Sequence, residues 1–243
     1  MYTTLNYSLN FDIKKRNIRD IKFIIFHYTG MKKEIDAINQ LINQKSKVSS
    51  HYFIKKNGEI LTLVPDLYIS WHAGISSWKK YKSINKYSIG IEISNPGHDN
   101  KYKEFSKKQI NSILKLTKFL IKKYKIKSSF ILGHSDIAPD RKKDPGEKFP
   151  WKYLSKYKIG YWHNLNQNYI LKKRNVRVDK KDKFRFIQNL FKIGYLKNYN
   201  ISKIKYEKLI TKAFQRRFRQ ELVNGIIDLE CLLISKNLAK KAK

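Results

Sequence analysis

The stretch from Phe130 to Trp151, FILGHSDIAPDRKKDPGEKFPW, constrains the fold more than any other part of the chain. Its first residues, Phe130, Ile131, Leu132 and Gly133, form an apolar run long enough for a buried strand and too short for a helix. The run stops at His134. Beyond it, Pro139, the Asp144-Pro145-Gly146 tripeptide and Pro150 keep the backbone out of helix, because proline lacks an amide hydrogen and fixes φ. A strand that delivers a histidine and a stiff loop that then delivers an aspartate suit a metal site, since ligating side chains belong on loops held by a rigid scaffold.

Strands and helices alternate around this stretch. Ile21 to His27, IKFIIFH, is too short and too β-branched for a helix and reads as a central strand ended by Tyr28-Thr29-Gly30. Alternation puts Phe23, Ile25 and His27 on one face, with His27 at the carboxyl end, where open sheets gather their chemistry. Between Glu34 and Gln44, the apolar residues Ile35, Ile38, Leu41 and Ile42 recur at helical spacing, which predicts an amphipathic helix against the sheet. From Ser50 to Val64, two alternating runs flank Asn57-Gly58 and predict a hairpin closed by a two-residue turn. Tyr87 to Ile93, YSIGIEI, reads as another buried strand, and it carries Glu92. Ser106 to Tyr124 predicts a long helix that leads into the strand ending at His134. The fold class expected is therefore α/β (α+β), a mixed central sheet flanked by helices.

This domain is expected to close soon after Trp162. Residues 163–180 are polar and weakly periodic, and read as a linker in which Lys172-Lys173-Arg174 is solvated. Three amphipathic segments follow, Phe184 to Ile193, Tyr206 to Phe218 and Leu229 to Leu238, and predict a small C-terminal three-helix domain. The expected division is 1–165 and 166–243, which a chain of 243 residues with 41% hydrophobic composition can support.

The charge narrows the partners. Lys and Arg number 53 against 19 Asp and Glu, a net +34, which suits nucleic acid, an anionic surface or an acidic polymer. The basic residues are spread along the chain, and compositional drift produces the same abundance of Lys, Ile, Asn and Tyr. No nucleic-acid motif is present and the aromatics follow sheet and helix periodicity, so nucleic acid is not expected. Cys231, the one cysteine, lies among Leu229, Leu232 and Leu233 and reads as a buried thiol. No stretch approaches membrane-spanning length, and the amino terminus lacks a signal-peptide core. A cytoplasmic location is expected on that basis, with the periplasm or cell envelope open to a processed form, and the chain is separately expected to be a monomer.

His27, His134 and Asp144 are the residues on which a metal reading rests. Two neutral imidazoles and a carboxylate, leaving a fourth position for water, match the donor set of catalytic zinc. The three lie far apart, without the short periodicity of an HExxH helix, and each has a bland alternative: a strand-end histidine bonded in the core, or an aspartate forming a turn before Pro-Gly. Spacing leaves both readings open. Glu92 on an apolar strand is costly unless paired or used, so it is either a salt-bridge partner or a general acid-base. Lys142, in a run of three basic residues, reads by itself as a solvated lysine. Trp71, His72, Asn85 and Asn95 are candidates to line a substrate groove, with a core role for Trp71 and a turn role for Asn85 as alternatives. His51 reads as structural, and His98 and His163 carry no specific signal.

Taken together, FIIFHYTGM, SSHYFIKKNGEI, LVPD, SWHAGISSW, SIGIEISNPGH and GHSDIAPDRKKDPGEKFPW resemble the zinc-dependent N-acetylmuramoyl-L-alanine amidases of the AmpD and AmiD type, relatives of peptidoglycan-recognition proteins. The likeness runs collinearly from about Tyr7 to about Trp162. It implies one Zn²⁺ per chain held by His27, His134 and Asp144, with Glu92 as catalytic acid and Lys142 as the active-site lysine. It also implies peptidoglycan or muropeptides as substrate, cut between the lactyl group of (anhydro-)N-acetylmuramic acid and L-alanine. A non-catalytic peptidoglycan receptor would share the fold but normally lack a ligand; all three positions are filled, so an enzyme is expected. The tail, with Phe214-Gln215 and Asn224-Gly225-Ile226-Ile227-Asp228, is similar to the three-helix peptidoglycan-binding module of AmiD-type enzymes. That likeness implies a tether to polymer that takes no part in the chemistry.

Overall fold

The computed structural model describes residues 4–196 and 200–242. Among these, the strands in chain order are β1 (Thr4–Leu5), β2 (Phe11–Asp12), β3 (Phe23–Tyr28), β4 (Tyr52–Ile54), β5 (Ile60–Thr62), β6 (Ile69–Ser70), β7 (Ser77–Trp78), β8 (Tyr81–Lys82), β9 (Ser88–Ile93) and β10 (Ile131–Gly133). The α-helices are α1 (Glu34–Ile42), α2 (Lys107–Tyr124), α3 (His134–Ile137), α4 (Trp151–Ser155), α5 (Gln167–Leu171), α6 (Lys180–Ile193), α7 (Lys203–Phe218) and α8 (Leu229–Lys241). Six strands form one mixed sheet in the order β1-β5-β4-β9-β3-β10. At its centre, β10, β3, β9 and β4 run parallel, so their carboxyl ends lie along one edge. The β4–β5 hairpin supplies the antiparallel pair.

Side-chain alternation sorts the core into two faces. Ile24 and Phe26 of β3, with Ile89, Ile91 and Ile93 of β9, pack beneath α2 through Ile113, Leu116 and Leu120. Ser106 fixes the start of α2 as its N-cap in a capping box with Gln109. Phe23 and Ile25 point to the other face and share one apolar cluster with Leu190 of α6, Ile210 and Phe214 of α7, and Ile234 of α8. On that same face, Phe53 and Leu61 pack against Ala37, Ile38 and Leu41 of α1. Between α1 on one side and the tail helices on the other, the carboxyl ends of β3, β9 and β10 are left open.

The mixed sheet, the long helix and the three tail helices agree with the expectations, and Cys231 is buried in the tail cluster. Two local expectations are corrected. The hairpin closes through a three-residue loop rather than two residues: Lys55 and Glu59 still pair, and Gly58 takes a positive φ of 87° that allows the extra residue. Residues 163–180 remain largely exposed, but they are anchored to the tail helices instead of running free as a linker. Ile170 of α5 is buried, the Arg174 guanidinium donates to Glu230 at 2.7 Å and 3.0 Å, and the backbone of Arg177 forms an isolated antiparallel β-bridge with that of Asp228. Of the basic run, Arg174 alone is drawn in, because the buried Glu230 requires a cationic partner, while Lys172 stays exposed as expected.

The tail is also bonded to the sheet edge that carries His134. Arg217 of α7 is buried, pairs with Asp136 of α3, donates to the Ile131 carbonyl at 3.0 Å and lies 4.3 Å from the centre of the Trp151 ring. The Tyr195 hydroxyl donates to the other oxygen of Asp136 at 2.8 Å, and Asp136 accepts the Gly133 amide at 2.8 Å.

Candidate metal centre and pocket

Strand register assembles the site. His27 of β3 is the direct partner of Glu92 in β9, and Phe26 is the partner of Gly133 in β10, which sets His134 one step beyond the strand and beside His27. His134 is the first residue of α3, where the chain turns away from the sheet. Asp144 returns on the proline-bounded loop, held by the Ser135 amide, which donates to the Asp144 carbonyl at 2.8 Å. His27 Nδ1, His134 Nδ1 and Asp144 Oδ2 stand 3.0 Å from one another in every pairing. All three side chains are buried, and among the described residues they form a group able to share a metal ion.

The electrostatics of the group follow from burial and closeness. Burial opposes ionisation of Asp144, but the two imidazoles beside it outweigh that penalty and hold its carboxyl well below the usual carboxylate range. Burial, followed by repulsion from His134, pushes His27 down to about 4, which leaves its ring neutral near pH 7. Glu92 goes the other way: burial first and the Asp144 charge second push its carboxyl up to about 8, with Lys142 opposing. Its Oε2 is buried without a hydrogen-bond partner, the signature of a carboxylate held for something other than a salt bridge.

These residues open into one pocket. Its walls include His27, Glu92, His134, Lys142 and Asp144, with Trp71 and His72 on one side and Gln40 and Leu41 of α1 on another. The structure thus brings together the candidate ligands, Glu92, Lys142, Trp71 and His72. Asn85 and Asn95 fall elsewhere. The Asn85 carboxamide oxygen accepts the His72 and Ala73 amides at 3.2 Å and 2.7 Å, and the Asn95 carboxamide bonds the Lys103 carbonyl and the Gly97 amide at 2.8 Å and 3.1 Å. Their short side chains are occupied in shaping loops. His51 is structural: it sits fully buried, accepting the Gly90 amide at 3.0 Å.

Sequence reasoning missed other residues around the pocket. Arg141 donates to the Ala73 carbonyl at 2.5 Å and the Ile75 carbonyl at 3.1 Å, which ties the Trp71–Gly74 loop to the loop bearing Asp144. His98 joins the Tyr28 hydroxyl at 2.8 Å to Glu147 at 2.9 Å. Neither has a periodicity or spacing signal, because both roles depend on loops meeting in space.

Comparison with known proteins places this geometry in context. The family described as N-acetylmuramoyl-L-alanine amidase matches residues 17–147. The chain is 34% identical to N-acetylmuramoyl-L-alanine amidase AmiD of Escherichia coli over 234 residues, covering 91% of this chain and 83% of that protein. It is 33% identical over 170 residues to 1,6-anhydro-N-acetylmuramyl-L-alanine amidase AmpD of Haemophilus influenzae, covering 62% of this chain and 90% of that one. Its fold superposes on the structure of E. coli AmiD in complex with anhydro-N-acetylmuramic acid-L-Ala-D-gamma-Glu-L-Lys with a TM-score of 0.80 at 32% identity, covering 95% of this chain and 92% of the other.

Proposed function

The chain belongs to the family of N-acetylmuramoyl-L-alanine amidases, and from that premise we propose that His27, His134 and Asp144 hold one zinc ion beside Glu92 and Lys142, which perform the hydrolysis. The enzyme cuts the amide between the lactyl group of (anhydro-)N-acetylmuramic acid and the L-alanine of the stem peptide, in peptidoglycan turnover or recycling. The observation that carries the residue assignment is the meeting of two imidazole nitrogens and a carboxylate oxygen, 3.0 Å apart, in a pocket also lined by Glu92, whose Oε2 is buried without a hydrogen-bond partner.

The donor set fits zinc. Two neutral imidazoles and one ionised carboxylate are the ligand types that a catalytic zinc site combines with one open position. Zinc bound there supplies Lewis acidity and makes water acidic enough to react near neutral pH. The rest falls to the chain. In its ionised form, which the positive charge of a bound zinc would favour, Glu92 takes a proton from the attacking water as the water oxygen bonds the lactyl carbonyl carbon. When the carbon–nitrogen bond breaks, Glu92 returns that proton to the departing alanine nitrogen. The Lys142 ammonium faces the charge developing on the carbonyl oxygen. Trp71, at the pocket wall, offers an aromatic face to the sugar or the peptide.

The tail resembles a peptidoglycan-binding module, and its surplus of cations suits an anionic polymer. We assign α6 to α8 a role in retaining the enzyme on peptidoglycan. Among the described residues, no helix is long and apolar enough to cross a membrane.

The test is direct. Incubated with anhydro-N-acetylmuramyl tripeptide, the protein should release a peptide with a free N-terminal alanine and an intact amino sugar, both read by mass spectrometry. Chelation should abolish the reaction and zinc should restore it. Full turnover by metal-free protein, or cleavage at another bond, would overturn the reading.

A further inference from the structure

Two carbonyl groups, which can only accept hydrogen bonds, determine where the protons sit behind the metal-binding imidazoles. The Ser88 hydroxyl lies 2.7 Å from the Ile84 carbonyl and must donate to it. A hydroxyl has one proton, so at its 3.0 Å contact with His72 Nε2 Ser88 is the acceptor, and that nitrogen carries the hydrogen. The neutral ring then presents a bare Nδ1, which lies 3.0 Å from His27 Nε2. It follows that His27 is protonated on Nε2 and bare on Nδ1, the atom that meets His134 and Asp144. The second histidine repeats the pattern: His134 Nε2 lies 3.2 Å from the Ala73 carbonyl, donates to it, and leaves its own Nδ1 bare.

Both contacts come from adjacent residues of one loop, and that loop is itself fixed. Asn85 accepts its two amides, and Arg141 holds the Ala73 carbonyl from the other side. Beneath the His72 ring lies Gly90, two residues before Glu92 on the same face of β9. A Cβ at Gly90 would fall 2.4 Å from His72 Cγ, so glycine here leaves the space that the ring fills.

We propose that the Trp71–Gly74 loop sets the tautomers of both metal-binding histidines, with His72 and Ser88 as positioning residues that make His27 a ligand through Nδ1. The inference rests on the metal-site reading above. It moves His72 from groove lining to a hydrogen-bond partner behind the ligand, and it identifies Ser88 as a functional residue, one that carries no motif of its own.

The experiment measures zinc affinity by competition with a chromogenic chelator, without reference to turnover, in the parent protein, Ser88→Ala, His72→Phe and His72→Asn, with His27→Ala as the control for a lost ligand. Removing a partner behind a ligand weakens metal binding by roughly 10- to 100-fold. His72→Phe should show that loss, and Ser88→Ala should lose about 10-fold because His72 can then take either tautomer. His72→Asn should recover most of the affinity, because its Oδ1 stands where the accepting Nδ1 stood. Nitrogen-15 NMR of the imidazoles in the metal-free parent should show His27 protonated on Nε2, and Ser88→Ala should show a mixture. Parent-like affinity in folded His72→Phe and Ser88→Ala would overturn the proposal while leaving the metal site intact. Zinc binding no tighter in the parent than in His27→Ala would overturn the metal-site reading, and this inference with it.

Discussion

Glu92 carries a conflict that can be measured. It is flanked on both sides by strands and lies beside the ionised Asp144, so its carboxyl is raised to about 8. Between the ordinary carboxylate range and that value, the folded chain holds a proton that the unfolded chain releases. Folding stability therefore falls as pH rises through this window. Glutamine has no such proton. Metal-free Glu92→Gln should melt at the parent's temperature near pH 4 and above it at pH 8, and thermal melts across that range would decide it; a constant difference would show that the carboxyl is not raised. The same variant should keep zinc and lose turnover by roughly 10²- to 10⁴-fold, the scale of general acid-base help. At Lys142, loss of the ammonium should lower kcat by roughly 10²- to 10³-fold while KM changes little, since its charge matters most once the oxyanion forms. A Lys142→Ala enzyme with normal kcat and raised KM would assign the lysine to substrate binding instead.

At the scale of elements, the contact between α3 and α7 decides how firmly the sheet edge carrying His134 is held. Asp136 lies two residues after His134, and its carboxylate is shared by the Gly133 amide, Tyr195 and Arg217. Removing one partner of a buried ion pair leaves the other charge unpaired and costs about 3–5 kcal/mol. Arg217→Met should lower the urea midpoint by a corresponding amount, a much larger effect than neutralising exposed Arg185, whose pairing with Asp182 is of the surface kind worth at most about 1 kcal/mol. Equal shifts for the two variants would mean that Arg217 contributes packing alone.

The whole molecule then sets what truncation does. The sequence-level expectation of a detachable tether implies that cutting after Trp162 spares hydrolysis of a soluble muropeptide. The packing argues otherwise. Such a cut strips α6, α7 and α8 from Phe23 and Ile25 and takes Tyr195 and Arg217 away from Asp136. The truncated protein should lose near-ultraviolet circular dichroism and turnover on sacculi and soluble muropeptide alike; retained turnover on the soluble substrate would restore the tether-only picture. Charge acts separately. Residues 166–243 contribute +15 of the net +34, so raising salt should weaken binding of the intact enzyme to sacculi by screening. Turnover of a small fragment should change far less.

What the sequence determined by itself was local: the apolar runs that become β3, β9 and β10, the helical spacing of α2, α6, α7 and α8, the glycine that turns the hairpin, and a short set of candidate site residues. His27, Glu92, His134 and Asp144 stood out as candidates because strand endings, a charged residue in an apolar strand and a proline-bounded loop each leave a trace within a few positions of themselves; their roles came from the resemblance, since spacing left a structural reading open for each. Tertiary structure decided which strands became neighbours and in what register, and hence that His27 stands opposite Glu92 and one step from His134. It also anchored a supposed linker to the tail helices, bound α7 through Arg217 to the sheet edge that carries His134, and placed His72 over Gly90 behind His27. These contacts join residues dozens of positions apart through single hydrogen bonds or one close approach. Periodicity reports only which face a residue occupies, so no such pairing can be read from it.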